Sequence, residues 1–220
     1  MLKFFIAALL FFCPNAIAAL IDNDTFTEAS ATALTSHTPD SGSSWTQSAA
    51  GTFSVNASDY LELTVLSSQT RARIEQDIGT PDMVVEASVR VDQNAVNTTR
   101  AGIVARVSSD FLDNYVCYLE DDNGTTAGGN ADLGLSKRVA GTTTALTTIN
   151  FNGTLATAYT MRLYTASGFV RCCVSTSCTA WTADADVATG NQGGVYAQGI
   201  SSQRIDNFKV YPYGRSINDN

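Results

Sequence analysis

From about residue 20 onward, apolar side chains recur at every second position rather than every third or fourth. In "VVEASVRV", Val85, Ala87, Val89 and Val91 share one face while Glu86, Ser88 and Arg90 share the other. "YLELTV" sets Leu61, Leu63 and Val65 against Tyr60, Glu62 and Thr64. "GIVARV" and "YTMRLY" repeat the pattern with Ile103, Ala105 and Val107, and with Tyr159, Met161 and Leu163. Neighbouring side chains of a strand point to opposite faces, so each run predicts a half-buried strand. "NYVCYLE", "DLGLSKRV", "FVRCCV", "GGVYAQ" and "RIDNFKVYP" are further strand segments. Turn formers such as "GTPD", "DNGTTAGGN", "ASG" and "TGNQGG" lie between the runs, and no helical period is sustained. Many short strands without intervening helices predict an all-β fold, an antiparallel two-sheet β-sandwich.

The first residues break this pattern. "MLK" carries one positive charge, "FFIAALLFF" is a short apolar run, and "AIA" supplies small residues before Ala19. That is the layout of a secretory signal peptide over residues 1–18. The apolar run falls short of the roughly 20 residues a membrane span needs. The reading is therefore a secreted, periplasmic or extracellular protein with no membrane insertion after cleavage. It has one domain over residues 19–213 and a polar tail over 214–220.

Charge narrows the partners. The chain holds 13 basic and 21 acidic residues, and losing Lys3 leaves 12 against 21, a net charge of −9. Such a surface repels phosphate backbones, so no nucleic-acid partner is expected. Cys13 departs with the leader and leaves Cys117, Cys172, Cys173 and Cys178. An even number in an exported chain reads as two disulfides, with three possible pairings. Adjacent strand residues face opposite ways, so Cys172 and Cys173 should have different partners. This favours Cys173 with Cys178, and Cys172 with Cys117 across the sheet.

Candidate chemistry is sparse. "HTPDSGSSWT" gathers the one histidine, His37, with Asp40 and three serines, yet a catalytic triad draws its members from separate, rigid elements. Its Pro39-Asp40 and Ser41-Gly42 pairs instead suggest a turn leading into a strand at Trp45. In "LEDDNG", Glu120 and Asp122 would share one strand face roughly 7 Å apart, within the range of glycosidase carboxylates. "RARIEQD" places Arg71, Arg73, Glu75 and Asp77 on one face and reads as self-compensating exposed charge. Trp181, Tyr118, Tyr196 and Trp45 are the aromatic candidates for stacking on sugar, with core packing as the competing role.

The order of the segments "NDTFTEASATALTSHTPDSGSSWT", "VEASVRV", "AGIVARVSSDFLDNYVCYLE", "YTMRLYTASGFVRCCV" and "RIDNFKVYP" resembles the concanavalin A-like lectin/glucanase superfamily. The resemblance is to the laminin-G-like jelly rolls of exported bacterial and tailed-phage structural proteins, and runs from about Asp22 to Tyr211. It implies two curved antiparallel sheets with the first and last strands close together. It also implies a structural calcium where those ends meet, for which Asp22, Asp24 and Asp206 are the candidate ligands. The E-x-D-x-x-E strand of the superfamily's glucanases is missing here. The expected function is thus a non-catalytic module binding a glycan or cell-surface polysaccharide. The alternatives are a structural or assembly subunit, in which case an oligomer is possible, and a glycan-cleaving enzyme on the same fold.

Overall fold

The computed structural model describes residues 22–64, 67–92, 99–121, 130–188, 190–199 and 203–214. The expected leader, Val65, Asp122 and the tail beyond Gly214 lie outside these residues. The strands are β1 (Asp22–Asp24), β2 (Thr32–Ala33), β3 (Trp45–Gln47), β4 (Phe53–Asn56), β5 (Tyr60–Leu63) and β6 (Ser67–Ile74). Then come β7 (Met83–Arg90), β8 (Arg100–Ala105), β9 (Asn114–Asp121), β10 (Asn130–Val139), β11 (Thr142–Thr154) and β12 (Ala158–Ala166). The last are β13 (Phe169–Val174), β14 (Ser177–Cys178), β15 (Thr182–Ala183), β16 (Gly194–Gly199) and β17 (Arg204–Pro212). One 3-10 turn, Leu34–Ser36, is the helical segment among the described residues. None of their helices is long and apolar enough to cross a membrane.

These strands form two antiparallel sheets. One is ten-stranded, in the order β14-β13-β12-β7-β17-β5-β4-β2, with β1 beside β17 and β15 beside β13. The other is seven-stranded, in the order β11-β10-β9-β8-β16-β6-β3. The first and last strands pair directly, Asp22 opposite Val210 and Asp24 opposite Phe208. Strand β17 bulges between Asp206 and Lys209, where Asn207 takes a positive φ and its N–H donates to Asp206 Oδ1 at 2.6 Å. The break in alternation at Asp206 is this bulge.

The alternating residues meet in the interior. Val85, Ala87, Val89 and Val91 face Ile103, Ala105, Cys117, Leu119, Leu133 and Val195 in one buried cluster. Burial of such side chains is worth about 1.5–3 kcal/mol each, and this drives the sheets together. Cys117 of β9 and Cys172 of β13 are bonded through this interior, and Cys173 is bonded to Cys178. The predicted pairing is present, but the Cys117–Cys172 bond ties one sheet to the other instead of crossing a single sheet.

Two expectations need correction. Val107 does not continue the inward face of Ile103 and Ala105. Arg106 adopts φ 54°, and Val107 joins Val104, Phe111, Val116, Tyr118 and Tyr196 in a separate cluster on the other side of the sheet. Nor is "RARIEQD" exposed charge, because Arg71 and Arg73 are both buried. Arg73 pairs with Glu75, whereas Arg71 has no carboxylate partner among the described residues.

Candidate functional site

The side of the seven-stranded sheet turned away from the core is built by register. One row across it reads Arg71 of β6, Tyr196 of β16, Gly102 of β8, Tyr118 of β9, Gly134 of β10 and Thr148 of β11. The next row places Gln198, Arg100, Glu120 and Asp132 side by side, and a third sets Asn114 against Arg138. Glycine at 134 matters because a Cβ there would lie 2.2 Å from Tyr118 Cζ. The ring can therefore fold down over the sheet. Tyr118 and Tyr196 end 6.3 Å apart, centroid to centroid.

Each ring carries a guanidinium. Arg71 sits 5.2 Å from the Tyr196 centroid and Arg100 sits 4.8 Å from that of Tyr118. Arg100 donates to Glu120 at 2.8 Å and to Gln198 Oε1 at 3.4 Å, and the Tyr196 hydroxyl donates to the same Gln198 oxygen. Burial works against the Arg100 charge, but Glu120 more than offsets this and holds its pKa above the ordinary value. Arg71 differs. Its Nη2 donates to Gln69 Oε1 at 2.9 Å and its Nε to Asn114 Oδ1 at 3.3 Å, both neutral amides. Burial brings its pKa down to about 10, with Arg138 pushing the same way. Arg138 donates to that same Gln69 oxygen at 3.2 Å. Arg71, Asn114, Tyr118 and Tyr196 are buried, while Gln69, Arg100, Glu120, Arg138 and Gln198 are half-exposed. The result is a floor of ring and guanidinium with a rim of amides and charges, suited to hydroxyl-rich or anionic ligands.

The structure thus unites Tyr118, Tyr196 and Glu120 from the sequence candidates and separates the others. Trp45 is a core residue, 2% exposed, edge-on to Phe208 at 5.0 Å. Trp181 is 40% exposed on the outer side of the ten-stranded sheet, beside Tyr164, Tyr213 and Arg171. Sequence reasoning missed Gln69, Asn114, Asp132 and Arg138. Alternation puts Gln69 on the face of Arg71 and Asn114 on that of Tyr118, whereas Asp132 and Arg138 lie on β10, which held no candidate, and nothing in the sequence says that β6, β9 and β10 serve one surface.

The opening stretch is a packed structural corner. His37 Nε2 lies 2.8 Å from Asp24 Oδ1 and Nδ1 lies 2.7 Å from Glu28, while Trp45 Nε1 donates to Asp24 Oδ2 at 2.6 Å. Asp40 accepts from the Thr25 N–H and hydroxyl, and Ser41 ties back to Asn23. These bonds hold the turn against β1, and His37 has the packing role expected of it. Gly42, at φ 95°, is required because a Cβ would lie 1.1 Å from Asp22 Oδ1.

The three calcium candidates do not form a metal-ligand set among the described residues. Calcium needs six to eight oxygens, about 2.3–2.6 Å away. Asp24 already accepts from His37, Trp45 and the Phe26 N–H, and Asp206 accepts from Asn207. Asp22 has both oxygens buried with no donor, and among the described residues no three His, Cys, Asp or Glu side chains gather as a metal set. These residues do not fit a bound cation as they stand.

No family model and no curated protein matches the sequence. Solved structures do match the fold. Carbohydrate binding module CBM66 from Bacillus subtilis aligns with a TM-score of 0.61 at 9% identity, over 77% of this chain and 96% of that one. The exoplasmic/lumenal domain of VIP36, in its Ca2+/Man-bound form, aligns at 0.59 and 10% identity, over 91% and 93%. Rv0315 of Mycobacterium tuberculosis, described as an immunostimulatory antigen and pseudo β-1,3-glucanase, aligns at 0.54 and 12%, over 88% and 98%. The chain shares with these proteins a two-sheet, jelly-roll β-sandwich.

Proposed function

We propose that this chain is an exported, non-catalytic carbohydrate-binding module whose glycan site is the outer face of the seven-stranded sheet. The observation that carries the reading is the cluster of Arg71, Tyr196, Tyr118 and Arg100 with its rim of Gln69, Gln198 and Glu120. Guanidinium and amide groups that can hydrogen-bond sugar hydroxyls are concentrated there, held against the buried Tyr118 and Tyr196 rings. The fold is shared with a carbohydrate-binding module and with a Ca2+/Man-bound exoplasmic/lumenal domain, which supports the same reading. Two disulfides support export to an oxidising compartment. A glycan array followed by calorimetry against cell-wall polysaccharides tests it. Binding should be lost at least tenfold in Arg100→Ala and Gln198→Ala. Silence of the wild type in both assays removes the proposal, and a stable oligomer by native mass would then favour an assembly subunit.

A second reading has one observation behind it. Glu120 does not depend on Asp122 for a partner, because Asp132 is its direct cross-strand neighbour. Two carboxylates on adjacent strands are the minimum for glycoside hydrolysis. Glu120 is nevertheless committed to Arg100 at 2.8 Å, which suits a binding surface better than a proton donor. Turnover of a bound glycan that disappears in both Glu120→Gln and Asp132→Asn would establish the enzyme instead.

A further inference from the structure

Resting on that reading of the face, we infer that its ligand is an acidic glycan, and that Arg71 and Arg138 form a clamp for the carboxylate of a uronic acid residue. Five of the nine described arginines have an acid beside them, Arg73 with Glu75, Arg90 with Asp92, Arg100 with Glu120, Arg106 with Asp82 and Arg162 with Glu86, while Arg171 and Arg204 lie over the Trp181 and Tyr60 rings. With acidic residues outnumbering basic ones 21 to 13, a carboxylate partner is easy to supply. Arg71 and Arg138 have none among the described residues, and they are neighbours, both resting on Gln69 Oε1.

Arg71 is 3% exposed, and a charge so placed ordinarily requires an opposite charge or a full set of acceptors. Its acceptors are two amide oxygens. Arg138 Nε is buried with no acceptor at all. Two like charges against one neutral oxygen are an unfavourable arrangement that an incoming anion relieves. A carboxylate matches it in shape, because its two oxygens can each take a planar N–H fork. Thr143 Oγ1, which also reaches Gln69 at 3.4 Å, adds a hydrogen-bonding group for a hydroxyl of a sugar ring.

The test is calorimetry of the full chain with oligogalacturonate, oligomannuronate and oligoguluronate. The same oligomers with their carboxyls reduced to alcohols, and a sulfated neutral glucan, complete the set, each at low and high NaCl. At least one uronide should bind ten times or more tightly than its reduced form. Its affinity should fall with added salt, although screening the protein's net negative charge alone would raise it. Arg138→Gln, on the half-exposed rim, should collapse the ratio between acid and reduced oligomer. Arg71→Gln should do the same where its melting curve shows it folded, and Arg138→Gln decides alone where it does not. Equal affinity for acid and reduced forms, tighter binding of the sulfated glucan, or an unchanged ratio in Arg138→Gln overturns the carboxylate clamp and leaves the glycan site standing. Silence toward every glycan overturns the site itself.

Discussion

Both ring nitrogens of His37 face carboxylate oxygens, so the imidazole donates from both and is charged while Asp24 and Glu28 are ionised. Burial opposes that charge, but Glu28 and Asp24 together outweigh it and keep the His37 pKa above its ordinary value. Stability from this group is full below about pH 6.5, its unfolded pKa, and is lost as pH rises through the folded value. Asp22 acts in the same direction for another reason. Its carboxyl is buried without a donor, and desolvation lifts its pKa to about 7. The fold therefore favours its neutral form, and that contribution drains away between about pH 4 and pH 7. The wild-type melting temperature should fall across this window. Asp22→Asn should flatten the fall and melt higher than wild type at pH 8. His37→Gln should lose about 3 kcal/mol in denaturant unfolding at pH 6, because it breaks a buried ion pair. Replacing EDTA by calcium chloride should leave the melting temperature unchanged, whereas a rise would mean that a cation sits on Asp22.

At the scale of strands, the two disulfides do different work. Cys117–Cys172 spans 55 positions and Cys173–Cys178 spans 5. Loop-closure entropy then assigns about 4 kcal/mol to the first and about 2 to the second. Paired alanine substitutions at each, compared by denaturant unfolding, should reproduce that order. Gly134→Val should push the Tyr118 ring off the sheet and away from Arg100, weakening ligand binding by more than it lowers stability. Strand positions were readable wherever alternation was clean, as in Met161, Leu163 and the run from Val85 to Val91. The reading slipped at Val107, because a single positive φ at Arg106 reverses the faces and leaves no mark on composition. It slipped again at Arg71. A strand can be polar on the side away from the core and still be buried there, when neighbouring strands supply rings and amides to cover it.

Across the whole molecule, aromatic surface occurs on both sheets, and the two tryptophans separate the possibilities. Trp45 is enclosed while Trp181 stands 40% exposed on the ten-stranded sheet. Iodide should quench only the fraction of the emission that Trp181→Phe removes. Ligand held on the seven-stranded sheet should leave that quenching unchanged. Protection of Trp181 by ligand would place the sugar on the opposite face and refute the site proposed here.

The sequence by itself determined that the chain forms strands, that Cys172 and Cys173 take different partners and that His37 belongs to a turn. Each of these depends on near neighbours: a period of two, the opposed faces of adjacent cysteines, and a run of turn formers. Only the tertiary structure decided that Arg71, from β6, and Arg138, from β10, share one amide oxygen while the acids lie elsewhere. Strand order in a sheet is set by which apolar faces bury one another, and Gln69, Tyr196 and Arg138 become neighbours only when β16 settles between β6 and β8.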